Sequence, residues 1–217
     1  MHQSTLSQTL LTWTLAGAAL TVGGAAFAAD DLYAAAPPAG SAFVRVVHAK
    51  PGAAAAPATV GGKSAGSVAF GQASAYIVVP QGEREAAVGG ATSKLTVAAG
   101  GFYTVALTAS GVTVVADGTN SNLAKALLSV YNFSGKPTLD LKTADGAQTV
   151  VAGVAGGAAG SRAVNPLTTG LLVTSGAETV WTQPPVTLDR GAAYSLIVLG
   201  PPEKPSATWV KSSTKAN

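Results

Sequence analysis

The chain of 217 residues contains no cysteine. That excludes disulfides, thiolate metal sites and a cysteine nucleophile. It also excludes a lipoprotein, whose anchor needs a cysteine at the mature N-terminus. Charge is sparse: 13 Lys and Arg face 10 Asp and Glu, and the net +3 is not clustered. No basic run offers a footprint for nucleic acid or anionic lipid, so no nucleic-acid partner is expected. Histidine is nearly absent, with His2 and His48 alone. One histidine and scattered single carboxylates do not make a zinc site. There is no G-x-x-x-x-G-K-[ST] loop and no strand–GxGxxG–helix unit, so no metal and no cofactor are expected.

What is present begins with a leader. Leu10 to Phe27 is apolar, and Ala26-Phe27-Ala28 supplies the small-x-small pattern of a signal-peptidase site. Thr12, Thr14, Gly17, Thr21 and Gly23-Gly24 interrupt the run. It is marginal for the roughly 20 residues of a membrane span. The expectation is a cleaved signal peptide over residues 1–28, with no transmembrane anchor afterwards. Roughly 190 residues remain, enough for two small domains.

The mature chain repeats one frame. Gly100-Gly101-Phe102-Tyr103-Thr104-Val105 is echoed by Gly191-Ala192-Ala193-Tyr194-Ser195-Leu196. Each is preceded by its own opening strand, Phe43–His48 or Leu127–Asn132. A repeat of this size means two copies of one β-domain. Short β-branched segments punctuated by Gly, Pro and Ser fill the space between, and no window sustains a helical period. The predicted fold is all-β: two tandem antiparallel β-sandwiches. The boundaries read as an extended arm over 29–40, a first sandwich over 41–117, a polar linker over 118–123, a second sandwich over 124–200 and a tail over 201–217. Residues 152–160 read as a Gly/Ala-rich loop, and residues 178–182 and 186–188 as two separate strands.

Chemistry is thin. Gly62-Lys63-Ser64-Ala65-Gly66 matches the G-x-S-x-G nucleophile elbow. The elbow works between a strand and a helix, yet Ser67-Val68-Ala69-Phe70 alternates like a strand, so a β-turn is expected. Any Ser–His pair would have to use His48. Its place at the end of a strand suits a hydrogen bond to loop backbone instead. The polar residues that stand out are Arg45, Arg162 and Asn165. Arg45 shares a strand face with Phe43 and Val47, which suggests either an edge strand with the guanidinium reaching outward or a contact to a partner. Arg162…Asn165-Pro166 is a stiff loop exit or a second contact. Leu32 and Tyr33, on the Pro-containing arm, suit docking into a pocket or sheet edge. Trp181 and Trp209, the tryptophans beyond the leader, would be the platforms of a polysaccharide-binding module.

Several of these stretches together resemble one family. Asp31-Leu32-Tyr33 and Pro38-Ala39-Gly40-Ser41-Ala42-Phe43-Val44-Arg45 resemble the start of mature AlgF proteins, accessory proteins of alginate biosynthesis. Lys125–Leu128, Asn132–Gly135, Leu139–Gly146, Arg162…Asn165-Pro166 and Leu188–Gly191 continue the pattern in order. The resemblance implies a periplasmic protein needed for O-acetylation of a secreted exopolysaccharide, alginate or cellulose. It implies a membrane-bound O-acyltransferase and SGNH-type periplasmic acetyltransferases as partners, and no catalytic residue. The expected role is a non-catalytic adapter. The alternatives are a covalent acetyl carrier, which needs an activated Ser, Thr or Tyr hydroxyl, and a polysaccharide-binding module.

Overall fold

The computed structural model describes residues 37–212. The stretch read as a signal peptide, Leu32, Tyr33 and the rest of the arm up to residue 36 lie outside these residues. Sixteen strands and no helix make up the described chain. The first eight are β1 (Ser41–His48), β2 (Ala56–Val60), β3 (Lys63–Val68), β4 (Ile77–Pro80), β5 (Gly82–Val88), β6 (Ala91–Val97), β7 (Phe102–Thr108) and β8 (Gly111–Ala116). The second eight are β9 (Ala126–Phe133), β10 (Thr138–Thr143), β11 (Thr149–Ala155), β12 (Ala159–Val164), β13 (Leu167–Ser175), β14 (Glu178–Leu188), β15 (Ala193–Leu199) and β16 (Ser206–Lys211).

The two halves share one topology. Sheets β4-β1-β7-β8 and β3-β2-β5-β6 form the first sandwich; β12-β9-β15-β16 and β11-β10-β13-β14 form the second. Strand for strand, β9–β16 repeat β1–β8. Pairing is antiparallel with one exception in each half, where β1 lies parallel to β7 and β9 parallel to β15. Two tandem all-β sandwiches were expected. The two parallel pairs were not, because nothing in a strand's own sequence names its neighbour.

Burial separates the sheets into two kinds. β2 alternates buried and exposed along its length, and β5 and β6 keep one wet face. Such strands cover a core on one side only. By contrast β9 is buried at every position, and β1 at all but one. A strand buried on both faces must sit between two layers. Val44 and Val46 turn inward to the first core, with Val60, Val79 and Val88. Leu128 and Val130 do the same in the second, with Leu139, Leu141 and Val173. The opposite faces of β1, β7, β9 and β15 meet each other: Val47, Ala49, Ala106, Tyr131, Phe133, Ile197 and Leu199 form a third buried cluster. The inner sheets therefore pack face to face.

Three expectations are corrected. Arg45 is not on an edge, since β1 is paired on both sides. The segment read as a Gly/Ala loop holds the end of β11, a Gly156-Gly157 turn and the start of β12, where the chain passes from one sheet of the second sandwich to the other. β14 is one strand of 11 residues, not two. It lies on a sheet edge, where Pro184 and Pro185 are tolerated beside a register irregularity.

Candidate functional site

Arg45 organises the junction between the sandwiches. It is 1% exposed, and a lone buried guanidinium is costly unless its donors are used. Its Nε donates to Thr104 Oγ1 at 2.9 Å, one terminal nitrogen to Ser195 Oγ at 2.9 Å, and the other to Ser212 Oγ at 3.3 Å. Thr104 belongs to its own sandwich; Ser195 and Ser212 belong to the other. The guanidinium lies between two tyrosine rings, 5.0 Å from the centre of Tyr76 and 5.1 Å from that of Tyr131. Desolvated contacts of this kind are worth up to about 2 kcal/mol each.

Asp117, the first residue after β8, closes the cluster. It accepts from the Tyr76 hydroxyl at 2.6 Å, the Tyr131 hydroxyl at 2.8 Å and Thr104 Oγ1 at 2.8 Å. Arg45 and Asp117 do not form a direct ion pair; the Thr104 hydroxyl stands between them. Burial, reinforced by the Asp117 charge, pushes the Tyr131 hydroxyl up to about 12, and burial pushes Tyr76 up further. Both tyrosines therefore remain donors at any physiological pH. The stretch read as a linker is pinned here as well: Asn120 donates to the Lys125 carbonyl at 3.0 Å. Gly118 lies so close to Ser161 that a Cβ would collide with it.

A cavity of about 460 Å³ opens beside this cluster. Its wall includes Ser129, Ser195 and Ser212, with Phe102, Leu123 and Leu127 on the apolar side. Leu123 is 71% exposed at its rim. Asn120 Oδ1 is buried in this lining with no hydrogen-bond partner among the described residues.

The residues singled out beforehand are scattered. Arg162 is exposed on β12, its guanidinium near the Thr149 and Val150 carbonyls at 3.4 and 3.3 Å. Asn165 is exposed just beyond that strand. Neither bonds to the Arg45 cluster. His48 is fully buried: its Nε2–H donates to the Ala54 carbonyl at 3.0 Å and its Nδ1 accepts from Lys50 N–H at 3.3 Å. Both ring nitrogens thus serve loop backbone. Ser64 lies on β3 with no helix following, and accepts from the Gly66 N–H at 3.1 Å. Trp181 and Trp209 pack against the second core, and Trp209 stacks on Tyr194. Sequence reasoning missed Tyr76, Thr104, Asp117, Ser195 and Ser212. The available signal was that β1, β9 and β15 carry apolar residues on both alternating faces, with single polar residues set among them, which implies burial on both faces.

Comparison with known proteins gives the family. A family model described as "Alginate O-acetyl transferase AlgF" matches residues 16–195. The chain belongs to the AlgF family. It is 37% identical over 211 residues to the alginate biosynthesis protein AlgF of Pseudomonas aeruginosa, covering 95% of this chain and 96% of that one. The AlgF of Azotobacter vinelandii is 35% identical over 186 residues, covering 85% of this chain and 84% of that one. Among solved structures, the C-terminal domain of AlgF from P. aeruginosa is 42% identical, covering 41% of this chain and 98% of that domain, with a TM-score of 0.38. The N-terminal domain is 28% identical, covering 38% and 100%, with a TM-score of 0.34. In this AlgF-family chain, no group of three or more metal-ligating side chains occurs among the described residues. No helix there is long and apolar enough to cross a membrane.

Proposed function

We propose that this protein serves alginate O-acetylation in the periplasm as a non-catalytic adapter. It bridges a membrane-bound O-acyltransferase and SGNH-type acetyltransferases. The names of its relatives supply the pathway. The observation that carries the adapter role is the junction itself. A buried arginine, two tyrosines and an aspartate hold the sandwiches face to face, leaving the outer sheets on opposite sides, available to separate partners. Acyl transfer needs a hydroxyl beside a base. The Tyr76 and Tyr131 hydroxyls do lie against the Asp117 carboxylate, but burial holds both in the neutral, weakly nucleophilic form. That disfavours a covalent carrier. The packing of both tryptophans disfavours a sugar-stacking module.

In this reading the partners also contact Leu32 and Tyr33 on the arm, and the exposed Arg162 and Asn165 at the β12 edge of an inner sheet. Changing Leu32 and Tyr33 together to Ala lowers polymer acetylation and co-purification of the acyltransferase severalfold, with the melting temperature unchanged. His48→Ala and Ser64→Ala, at normal abundance, leave acetylation nearly intact. Loss of acetylation in either would turn the reading to a covalent carrier.

A further inference from the structure

We infer that the cavity beside Arg45 receives an acidic side chain, with apolar neighbours, from an extended segment of a partner protein. This rests on the adapter reading and gives it a contact site. Arg45 has five N–H donors, and three are used by Thr104, Ser195 and Ser212. No carboxylate pairs with it directly among the described residues. It is a buried cation whose balancing charge, Asp117, lies behind the Thr104 hydroxyl. On the cavity side it is fronted by hydroxyls. Ser195 and Ser212 accept from Arg45 and are 3.5 Å apart, so at most one O–H is spent between them. The other is left to donate. Ser129 faces Ser195 in the β9–β15 register, is 6% exposed, and makes no side-chain hydrogen bond among the described residues. These hydroxyls, polarised by a guanidinium, form a receptor for a carboxylate. Lys211 stands in the same lining; Asp189 takes one of its N–H donors, at 2.8 Å. No Asp or Glu lines the cavity among the described residues.

The rest of the lining selects a peptide over a sugar acid. Sugar rings need a free aromatic face. Phe102 is stacked on Phe43 with ring centres 4.5 Å apart and meets Tyr76 edge-on. Arg45 occupies the tyrosine faces. What is open is aliphatic: Leu123 at the rim, and Leu127 and Ala192 behind it. The unpartnered Asn120 Oδ1 is an acceptor suited to a main-chain N–H. An aliphatic rim, a lone acceptor and a carboxylate receptor match the sequence apolar–acidic–apolar.

The test is a nitrogen-15 NMR titration of the full mature chain with acetyl-Leu-Glu-Leu-amide. Acetyl-Leu-Gln-Leu-amide and trimannuronate serve as comparison ligands. The Glu peptide is expected to shift the amides of Ser129, Ser195 and Ser212 and to bind about tenfold more tightly than the Gln peptide, a difference of roughly 1.4 kcal/mol. Ser129→Val is expected to weaken the Glu peptide about tenfold with no change in melting temperature. Should that variant fold poorly, Leu123→Ala tests the rim and is expected to weaken both peptides severalfold. Equal binding of the two peptides, or shifts with trimannuronate alone, overturns the inference. The titration needs no acetylation partner, so its failure leaves the adapter reading standing. Unchanged co-purification in the Leu32/Tyr33 variant would sink the adapter reading without touching the titration.

Discussion

The two sandwiches are copies on the faces that turn inward and complements on the faces that meet. Their shared frame reaches individual bonds. Gly100, with φ of 72°, and Gly191, with φ of 74°, take the same left-handed turn that only glycine adopts freely. The Gly100 N–H donates to the Ser41 carbonyl, and the Gly191 N–H donates to that of Lys125. Three residues on, the Tyr103 and Tyr194 hydroxyls each accept from a backbone N–H five residues upstream, those of Ala98 and Asp189, both at 3.0 Å. His48 and Asn132, at matching strand ends, are both fully buried and both donate to loop carbonyls. On the meeting faces one matching pair remains, the Thr104 and Ser195 hydroxyls that both accept from Arg45, and elsewhere the copies differ. Where the first copy has Arg45 and Val47, the second has Ser129 and Tyr131. A charge and a small aliphatic on one side answer a hydroxyl and an aromatic on the other. Two identical faces would have set arginine against arginine; divergence at these positions lets one copy hold the other.

The comparison is broken most directly by cutting the chain. Residues 37–117 and 118–212 are expected to fold separately, since each keeps its own core. Together they should be less stable than the whole. Exposing Tyr131, Phe133, Ile197 and Leu199 alone removes on the order of 6–12 kcal/mol, at about 1.5–3 kcal/mol for each large side chain. Calorimetry checks this. Halves that melt at the temperature of the whole would mean the junction contributes nothing.

Arg45→Ala attacks the junction without cutting it. It removes three hydrogen bonds, two of them across the junction, and the packing against two tyrosine rings, so about 3–5 kcal/mol is expected to be lost. Ser129, the equivalent position in the second copy, bridges nothing, and Ser129→Ala is expected to change stability by less than about 1 kcal/mol. Because Arg45 joins the copies, its loss should also separate one melting transition into two. Equal effects at the two positions would show that Arg45 is not the clasp.

Much of this was legible in the sequence. The Gly-aromatic-strand echo marked two copies, and Gly and Pro punctuation marked most strands. The strand misreadings have local causes: β11 ends in Ala152-Gly153-Val154-Ala155, small residues with little strand preference of their own that tertiary pairing holds in place, and Pro184-Pro185 interrupts the pattern of β14. The junction was harder. Val44-Arg45-Val46-Val47 already carried the sign that β1 is covered on both sides, and an arginine in such a strand has to be buried. Its partners come from positions up to 167 residues away, and no local pattern pairs Arg45 with Ser212.

The smallest effect sharpens the comparison rather than breaking it. Tyr103→Phe and Tyr194→Phe each remove one hydrogen bond from equivalent corners, and Tyr103→Phe is expected to cost about 1 kcal/mol. Tyr194→Phe should cost more, because its hydroxyl also donates to the Asp189 carboxylate at 2.9 Å. That carboxylate is held below its usual range, first by its bond to Lys211 and then by Tyr194 itself. A carboxyl with a depressed pKa contributes stability above its unfolded value, near 3.9, and loses it as pH falls through the lower folded value. The gap between the two variants should therefore be full at neutral pH and narrow in strong acid. Added salt should narrow it too, since Asp189 and Lys211 are exposed and screened. Urea titrations of both variants at neutral and acid pH decide the matter. A gap that persists unchanged in acid would mean the second corner owes nothing to its carboxylate.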